Sequence, residues 1–292
     1  MMKIKSESYQ ITPTTDWNSL PTRIETGLST RKINNQPKKI SNQLSDLQEI
    51  MYAQHKYSVL ICLQGMDTAG KDSLIREVFS AFNPRGVEVS NFKTPTALEL
   101  SHDFLWRHYI ALPERGVFGV FNRSHYENVL IARVHPEIVL NENIPNIDSV
   151  ETITPKFWKQ RFKQIKNFEK NLVQNGTLIL KFYLHLSYDE QRERILRRLD
   201  KPQHNWKFEP SDIKERKYWN AYQECYQDAL QQTATKKCPW FVIPADDKET
   251  ARLLVAQIIL EHLQNLPELS LPELDPEIKE KINGYRKSLL ND

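Results

Sequence analysis

A glycine-rich segment at 65–72, GMDTAGKD, has the residue types and the spacing of a loop that binds phosphate. Four residues separate Gly65 from Gly70, and Lys71 follows directly, which is the pattern G-x-x-x-x-G-K. Glycines allow the backbone N–H groups of such a loop to face an anion, and the following helix adds partial positive charge at its N-terminus. Lys71 would supply a full charge for the terminal phosphates. The residues expected at this phosphate site are Gly65, Ala69, Gly70, Lys71, Asp72 and Ser73.

Two carboxylates at this loop indicate a divalent cation. The usual pattern places Ser or Thr after the lysine, where its hydroxyl binds Mg²⁺, but here Asp72 stands at that position and Asp67 lies inside the loop. A carboxylate is a poor neighbour for phosphate unless a cation lies between them, so we expect Asp67 and Asp72 to face Mg²⁺. The alternative is an ordinary tight turn in which Asp72 caps the next helix.

A second group of polar residues follows the apolar segment 116–122. A phosphate-loop enzyme needs a carboxylate at the end of a strand beside the loop, but this position is Asn122, which carries no charge. The guanidinium of Arg123 is suited to clamp phosphate oxygens in a bidentate manner. Glu127 lies one helical turn later and would restore the missing charge as a metal ligand. In the alternative interpretation, Ser124 caps a helix and Arg123 only pairs with Glu127.

The segment 192–217 is strongly basic, with nine Lys or Arg residues against five Asp or Glu residues. Within it, 200–208 interrupts two predicted helices, which is typical of a mobile lid over a phosphate site. A second basic helix is predicted at 156–170, and a solvated helix face explains that one equally well. The positive charge of the lid exceeds the need of one nucleotide, so a longer polyanion is expected, either a nucleic acid or a chain of phosphates.

Apolar segments that alternate with helical ones must position these residues. The strands are predicted at 57–63, 87–92, 116–122, 177–186 and 240–244. The helices between them are predicted at about 71–82, 96–111, 124–132, 155–175, 187–200, 211–233 and 247–264. This alternation predicts a parallel sheet covered by helices on both faces. Right-handed crossovers then give a doubly wound sheet that binds ligands at the carboxyl ends of its strands.

Three regions are expected along the chain. Residues 1–55 form an N-terminal extension whose helix, at about 38–55, is amphipathic. Residues 56–265 form the phosphate-binding domain, and its lid covers about 188–218. Residues 266–292 form a C-terminal tail that contains the tetrapeptide LPEL twice and a final helix at about 276–289.

The composition of the 292 residues excludes several classes of protein. Hydrophobic residues make up 39% of the chain, yet no segment approaches the roughly 20 apolar residues that a membrane helix needs. The first residues, MMKIKSESYQ, lack the apolar stretch of a signal peptide. Three cysteines without a C-x-x-C pair exclude a disulfide framework and a cysteine zinc site. We therefore expect a cytoplasmic protein that has no membrane partner.

The sequence resembles the polyphosphate kinase 2 family in three segments. These are GMDTAGKD at 65–72, FNRSHYENVLIARVHPE at 121–137 and HNWKFEPSDIKERKYWNAY at 204–222, within a similarity that runs over about 40–265. The resemblance implies a P-loop kinase-like three-layer α/β/α sandwich with a five-stranded, mostly parallel sheet and a helical lid. It also implies phosphoryl transfer between inorganic polyphosphate and adenine nucleotides with Mg²⁺, in a homo-oligomer that is a dimer or a tetramer.

The resemblance also assigns roles to individual positions. Asp67 corresponds to the catalytic, metal-binding carboxylate, Lys71 to the phosphate-holding lysine and Arg123 to the clamp. Asn122 departs from the Asp of many members, although FNRSHYE resembles the class that accepts both AMP and ADP. A neutral residue there would loosen the choice of acceptor, which is a hypothesis. Further phosphate contacts are expected from Arg133, Arg194, Arg198, Lys207, Lys214 and Lys217.

The expected mechanism is direct in-line attack by a nucleotide phosphate oxygen on the end of the polyphosphate chain, without a phosphoenzyme. Three alternatives stay open. One is an ATP-dependent nucleotide kinase of the same fold. Another is a nucleic-acid-binding module that uses the basic helix at 156–170, although the sequence has no recognised motif for it and no nucleic-acid partner is expected. The third is a polyphosphate sensor without turnover.

Overall fold

The computed structural model describes residues 5–24 and 30–291, with side chains in the first long helix described from residue 39 onwards. Five strands form one sheet, and they match the predicted strands to within two residues at each end. The strands are β1 (Ser58–Gly65), β2 (Val87–Asn91), β3 (Phe118–Asn122), β4 (Thr177–His185) and β5 (Trp240–Pro244). They lie in the order β2-β3-β1-β4-β5, and every neighbouring pair is parallel. All five carboxyl ends therefore meet at one edge of the sheet.

Twelve α-helices connect and cover these strands in the described part of the chain. They are α1 (Thr30–Gln54), α2 (Lys71–Val78), α3 (Ala97–Leu100), α4 (Trp106–Tyr109), α5 (Ile131–Val134), α6 (Glu137–Leu140), α7 (Pro155–Gln174), α8 (Tyr188–Asp200), α9 (Pro210–Arg216), α10 (Trp219–Thr233), α11 (Lys248–Gln264) and α12 (Pro276–Leu290). Short 3₁₀ turns include His125–Val129 before α5 and Pro202–Lys207 between α8 and α9.

Three predicted helices are interrupted in the structure. The helix expected at 96–111 is two short helices, because Ser101 Oγ donates to Leu98 O and Asp103 Oδ1 accepts from Leu105 N, and these local bonds compete with the helix. The region 124–132 begins as the 3₁₀ turn and continues as α5, and the region 211–233 is divided into α9 and α10.

The helices form a layer on each face of the sheet, so the predicted three-layer α/β/α sandwich is confirmed. On one face α1, α2 and α11 pack on the strands through buried residues such as Leu44, Leu74 and Ile258. On the other face α7 and α10 contribute Phe162 and Tyr226 to a second apolar cluster. Helices on both faces thus shield β1, β3, β4 and β5 from water, which explains why these four strands are mostly apolar without alternation, whereas the edge strand β2 is partly exposed.

Residues 5–24 and α1 also pack against the sandwich. Ile11 N donates to Trp240 O of β5 at 2.9 Å, and Trp17 stacks on Tyr183 of β4 with ring centroids 5.6 Å apart. The helix α1 packs against α11, whereas α12 has no buried residue. Among the described residues, no helix combines the length and the apolar character needed to cross a membrane.

Candidate active site

The segment at 65–72 forms a tight loop between β1 and α2. Gly65 has φ +155° and Gly70 has φ +105°, conformations that disfavour a side chain. A Cβ on Gly65 would also lie 3.1 Å from Ala69 Cβ and from the backbone oxygen of Leu184. Both glycines are therefore required by the path of the loop, which opens at the carboxyl edge of the sheet beside the unpaired N–H groups of the first turn of α2.

Lys71 is folded back into this loop. Its Nζ donates to Gly65 O at 2.7 Å and to Met66 O at 3.4 Å, and burial lowers the pKa of the ammonium. An ammonium has three donors, so one N–H is left for a phosphate oxygen in the loop. The lysine thereby places a fixed positive charge where the backbone amides converge.

Arg123 joins the loop to the end of β3. Its Nη2 lies 2.9 Å from Asp67 Oδ1, and its Nη1 lies 3.6 Å from Glu127 Oε2. Arg123 has φ +62°, and its backbone N–H donates to Leu63 O on β1. The carboxylates of Glu127 and Asp67 outweigh burial and raise the pKa of Arg123, so the guanidinium is charged at every physiological pH. The pair with Glu127 exists as the alternative interpretation expected, but Arg123 also contacts the phosphate loop.

Asn122 has a bonding role that the sequence alone did not suggest. Its Nδ2 donates to Asp72 Oδ1 and to Asn91 Oδ1, each at 2.7 Å. The amide thereby connects the ends of β2 and β3 to the first turn of α2. Asp72 consequently does not cap α2, whose N-cap residue Gly70 makes no side-chain capping bond. Asn91 was missed because only its position at the end of β2 marks it in the sequence.

The predicted lid closes one side of a cleft of about 950 Å³ whose other wall is the phosphate loop. The lid consists of α8, the 3₁₀ turn Pro202–Lys207 and α9. Trp206 stands at its tip with 78% of its surface exposed, and Lys207 lies over the Trp206 ring. The Lys and Arg residues that line the cleft, besides Lys71 and Arg123, are Lys93, Arg194, Arg197, Arg198, Lys207 and Lys248. Sequence analysis did not assign Lys93, Arg197 or Lys248 to the site, and of these three only Arg197 lies in a basic segment that it identified.

Arg194 borders the cleft, but its guanidinium is bound to the protein and not free to wrap a phosphate. Nη1 donates to Thr68 O and Ala69 O of the phosphate loop, and Nη2 donates to Ala245 O and Asp246 O after β5. Nε pairs with Glu190 on the same helix at 2.8 Å. The expected polyphosphate contact is therefore replaced, in this structure, by a brace between the lid helix and the loop.

Other basic residues expected at phosphate lie outside the cleft or are paired. Arg133 Nη1 contacts Asp228 Oδ2 at 2.6 Å and sits beside the Trp158 ring, away from the cleft lining. Lys214 and Lys217 are exposed on and just after α9, also outside the lining. A count of charges along the sequence does not show which side of the lid a side chain occupies, so it could not exclude these two lysines from the cleft. Arg198 does line the cleft, but it is paired with Asp212 at 2.8 Å and holds the lid segment together.

The acidic residues fit a cation that is held jointly with a substrate. Asp67 and Asp72 line the cleft, and in each carboxylate the bond to Arg123 or to Asn122 uses the oxygen Oδ1. Within residues 5–24 and 30–291, no group of three or more His, Cys, Asp or Glu side chains converges as a metal site. Mg²⁺ is usually bound through one or two carboxylates together with substrate phosphates and water, so this donor set suits it.

A smaller cavity of about 180 Å³ adjoins the cleft beside Arg123 and Glu127. Its walls are largely apolar and include Phe92, Phe104 and Ile131. Arg123 and Glu127 line both the charged cleft and this smaller cavity. The arrangement suits a ligand with one anionic end and one flat apolar end.

Known proteins are similar to this chain in sequence. The family model for Polyphosphate kinase 2 (PPK2) matches residues 27–268. The chain is 44% identical to the ADP-polyphosphate phosphotransferase of Rhodopseudomonas palustris over 99% of its own length and 100% of the relative's. It is 42% identical to the AMP/ADP-polyphosphate phosphotransferase of Meiothermus ruber, over 78% of this chain and 79% of that one.

A solved structure agrees with these sequence matches. The crystal structure of polyphosphate kinase 2 from Arthrobacter aurescens TC1 superposes with a TM-score of 0.88 at 33% identity, covering 98% of this chain and 96% of that one. The family match spans the phosphate loop, the Arg123 segment and the whole lid, which are the elements that build the cleft. The protein belongs to the polyphosphate kinase 2 family and is a phosphotransferase.

Proposed function

We propose that this enzyme transfers the terminal phosphoryl group of inorganic polyphosphate to ADP and to AMP, reversibly and with Mg²⁺. The observation that carries the proposal is that the phosphate loop, the Arg123 clamp and a basic lid border one cleft of about 950 Å³. That volume is at the upper end for a small-molecule site and suits two phosphate-bearing substrates together. The relatives described above at 44% and 42% identity are named for ADP and for AMP/ADP as substrates.

The chain's own residues would act by holding charge and position. The loop amides and Lys71 bind one set of phosphate oxygens, while Arg123, held by Asp67 and Glu127, faces the place where the second substrate meets the first. Phosphoryl transfer needs alignment and charge neutralisation more than covalent help, and these fixed cations supply both. Because a phosphoanhydride is broken and another is made, the reaction is expected to run in both directions without a phosphoenzyme.

Asp67 and Asp72 would hold Mg²⁺ with the substrate phosphates, and Glu127, whose Oε2 lies 3.6 Å from Arg123 Nη1, is the third proposed ligand. When bound, the cation neutralises phosphate charge between the reacting groups. The apolar cavity beside Arg123 is the proposed place for the nucleotide base, since its Phe92 and Phe104 rings offer a flat apolar surface.

The test is one assay with purified protein, Mg²⁺, long-chain polyphosphate and either AMP or ADP, in the absence of ATP. Formation of ADP from AMP, and of ATP from ADP, is expected. If a phosphorylated nucleotide formed only when ATP replaced polyphosphate, the result would favour an ATP-dependent nucleotide kinase and overturn the proposal. A polyphosphate sensor would bind polyphosphate and give no product in either mixture.

Three variants refine this assay. Lys71→Ala and Asp67→Asn should each lower turnover by roughly 100-fold or more, because each removes a group that contacts phosphate or its cation. Lys214→Ala is the matched control, since that exposed lysine lies outside the cleft lining and its loss should leave turnover within about twofold. Full activity of Lys71→Ala would contradict the assigned role of the loop.

A homo-oligomeric assembly is also proposed. Its support is an exposed apolar stripe on α12, formed by Ile278, Ile282, Tyr285 and Leu289. Replacing Ile282 with Glu should lower the mass measured by light scattering if the stripe pairs copies of this chain. An unchanged mass would place the contact elsewhere or show that the chain is a monomer.

A further inference from the structure

A buried ion pair lies in the layer behind the cleft. Lys181 Nζ of β4 and Glu169 Oε2 of α7 are 2.7 Å apart, and their side chains are 0% and 1% exposed. Removing two charges from water is costly, and an apolar pair of similar volume is often equally or more stabilising. Stability of the fold alone therefore does not explain why charges occupy this position.

The pair is bonded to one short segment of the chain. Glu169 Oε1 accepts a hydrogen bond from Tyr126 Oη at 2.6 Å and lies 3.2 Å from His125 Nε2. Lys181 Nζ donates to Tyr126 Oη at 2.9 Å and to Thr233 O at 3.0 Å, so all three of its donors are used. Burial lowers the pKa of His125, which keeps the ring neutral with Nε2–H as the donor to Glu169.

His125 and Tyr126 stand between the two residues that form the clamp. Arg123 lies two residues before the 3₁₀ turn His125–Val129, and Glu127 lies within it. Arg123 also has φ +62°, a backbone conformation that surrounding contacts must maintain. The two buried side chains bonded to Glu169 thus fix the chain between the clamp residues, next to Ser124, whose Oγ accepts from Gln64 Nε2 at 3.0 Å.

We propose that Glu169, with Lys181, is a positioning residue that sets the turn His125–Val129 so that Arg123 and Glu127 face the phosphate loop. Glu169 touches no substrate and acts only through Tyr126 and His125. The role rests on the proposed function of Arg123 as a phosphate clamp. Because misplacing a catalytic group by about 1 Å can lower a rate by about 100-fold, loosening this turn is expected to lower kcat strongly.

The decisive variant removes both charges together, as Glu169→Leu/Lys181→Met. It leaves no unpaired buried ion, but Tyr126 Oη, His125 Nε2 and Thr233 O each lose a partner, so thermal stability should fall moderately and the kinetics are measured well below the Tm of the variant. We expect kcat to fall by roughly 10- to 100-fold while KM for polyphosphate and nucleotide changes by less than about threefold. The matched control is Arg133→Met/Asp228→Leu, which removes another ion pair, on α5 and α10, that does not touch the turn. A stable double variant with unchanged kcat would overturn the proposal.

A double-mutant cycle separates positioning from a general structural effect. The Glu169→Leu/Lys181→Met change is made in the wild-type enzyme and again in an Arg123→Ala background. If the pair acts through the clamp, it should cost little further activity once Arg123 is gone, so the losses are not additive. Additive losses would overturn the positioning role. Absence of polyphosphate-dependent turnover in the wild-type enzyme would instead overturn the proposed function, so the two failures are distinguishable.

Discussion

Replacing Arg194 with methionine is expected to destabilise the substrate-free protein, which is not the usual effect of removing a phosphate ligand. The side chain is 3% exposed and bonded to five acceptors. Four of these acceptors are backbone oxygens, at Thr68 and Ala69 in the phosphate loop and at Ala245 and Asp246 after β5. Methionine keeps an unbranched apolar side chain at this position and removes every donor.

The size of the effect follows from these contacts. Hydrogen bonds of a charged donor contribute about 1.5–3 kcal/mol each, but bonds that share one group do not add fully. Breaking a buried ion pair costs about 3–5 kcal/mol. Glu190 is 19% exposed and will be partly solvated when its partner is removed, so the lower part of that range applies. A loss of about 3–4 kcal/mol should lower Tm by roughly 6–8 °C in a chain of this size.

The assay is urea and thermal unfolding without substrate, followed by steady-state kinetics. Arg197→Met is the matched control, because Arg197 lines the same cleft from the same helix but is exposed. The control should keep the wild-type Tm and raise KM for polyphosphate. If Arg194→Met also kept the wild-type Tm and raised only that KM, Arg194 would be a phosphate ligand and the brace would be refuted.

Three further changes test other parts of the structure. Gly65→Ala should abolish turnover, because a Cβ would meet Leu184 O at 3.1 Å in a strained backbone, and a turnover close to wild type would contradict the loop geometry. His108 is buried and both ring nitrogens lack partners in the described structure, and burial lowers its pKa well below the usual value. Below a pH of about 6.5, His108 therefore binds a proton in the unfolded chain but stays neutral in the folded chain. The free energy of unfolding should fall by up to about 1.4 kcal/mol per pH unit towards pH 5. His108→Phe should reduce this slope in urea titrations at pH 7 and pH 5, and an unchanged slope would assign it to other groups. Asn122→Asp places a carboxylate where the amide now lies 2.7 Å from Asp72, so it should lower the Mg²⁺ needed for half-maximal rate and shift the AMP-to-ADP rate ratio. An unaltered ratio would count against the hypothesis that Asn122 loosens acceptor choice.

The sequence predicted the parts of the site that depend on strand ends. Apolar runs of strand length located β1 and β3, and the parallel arrangement brings their carboxyl ends together, so Asp67, Lys71 and Arg123 could be expected at one place. The lid was also recognisable, because its positive charge is concentrated in one segment of the chain.

The remaining contacts depend on partners far apart in the chain. Charge counting treats Arg194 as a free cation, but only the fold shows that it lies against the carbonyl groups of two separate loops. In the sequence, Lys181 only interrupts an apolar strand, and Glu169 is a single acidic residue in a basic helix. The structure shows that they form an ion pair, because α7 packs on β4. The helix predicted at 96–111 is interrupted by side-chain bonds to the backbone that hydrophobic periodicity does not record.

The bond from Ile11 to Trp240 has a consequence for how the protein behaves in concentrated solution. β5 is the outermost strand on its side, and a bare outer strand offers free N–H and C=O groups to a strand of another molecule. The segment around Gln10 and Ile11 occupies part of that row through an antiparallel bridge to Phe241 and the bond to Trp240. The segment around Gln10 and Ile11 thus covers part of the open edge of β5, and we expect its removal to promote association of β5 with strands of other molecules.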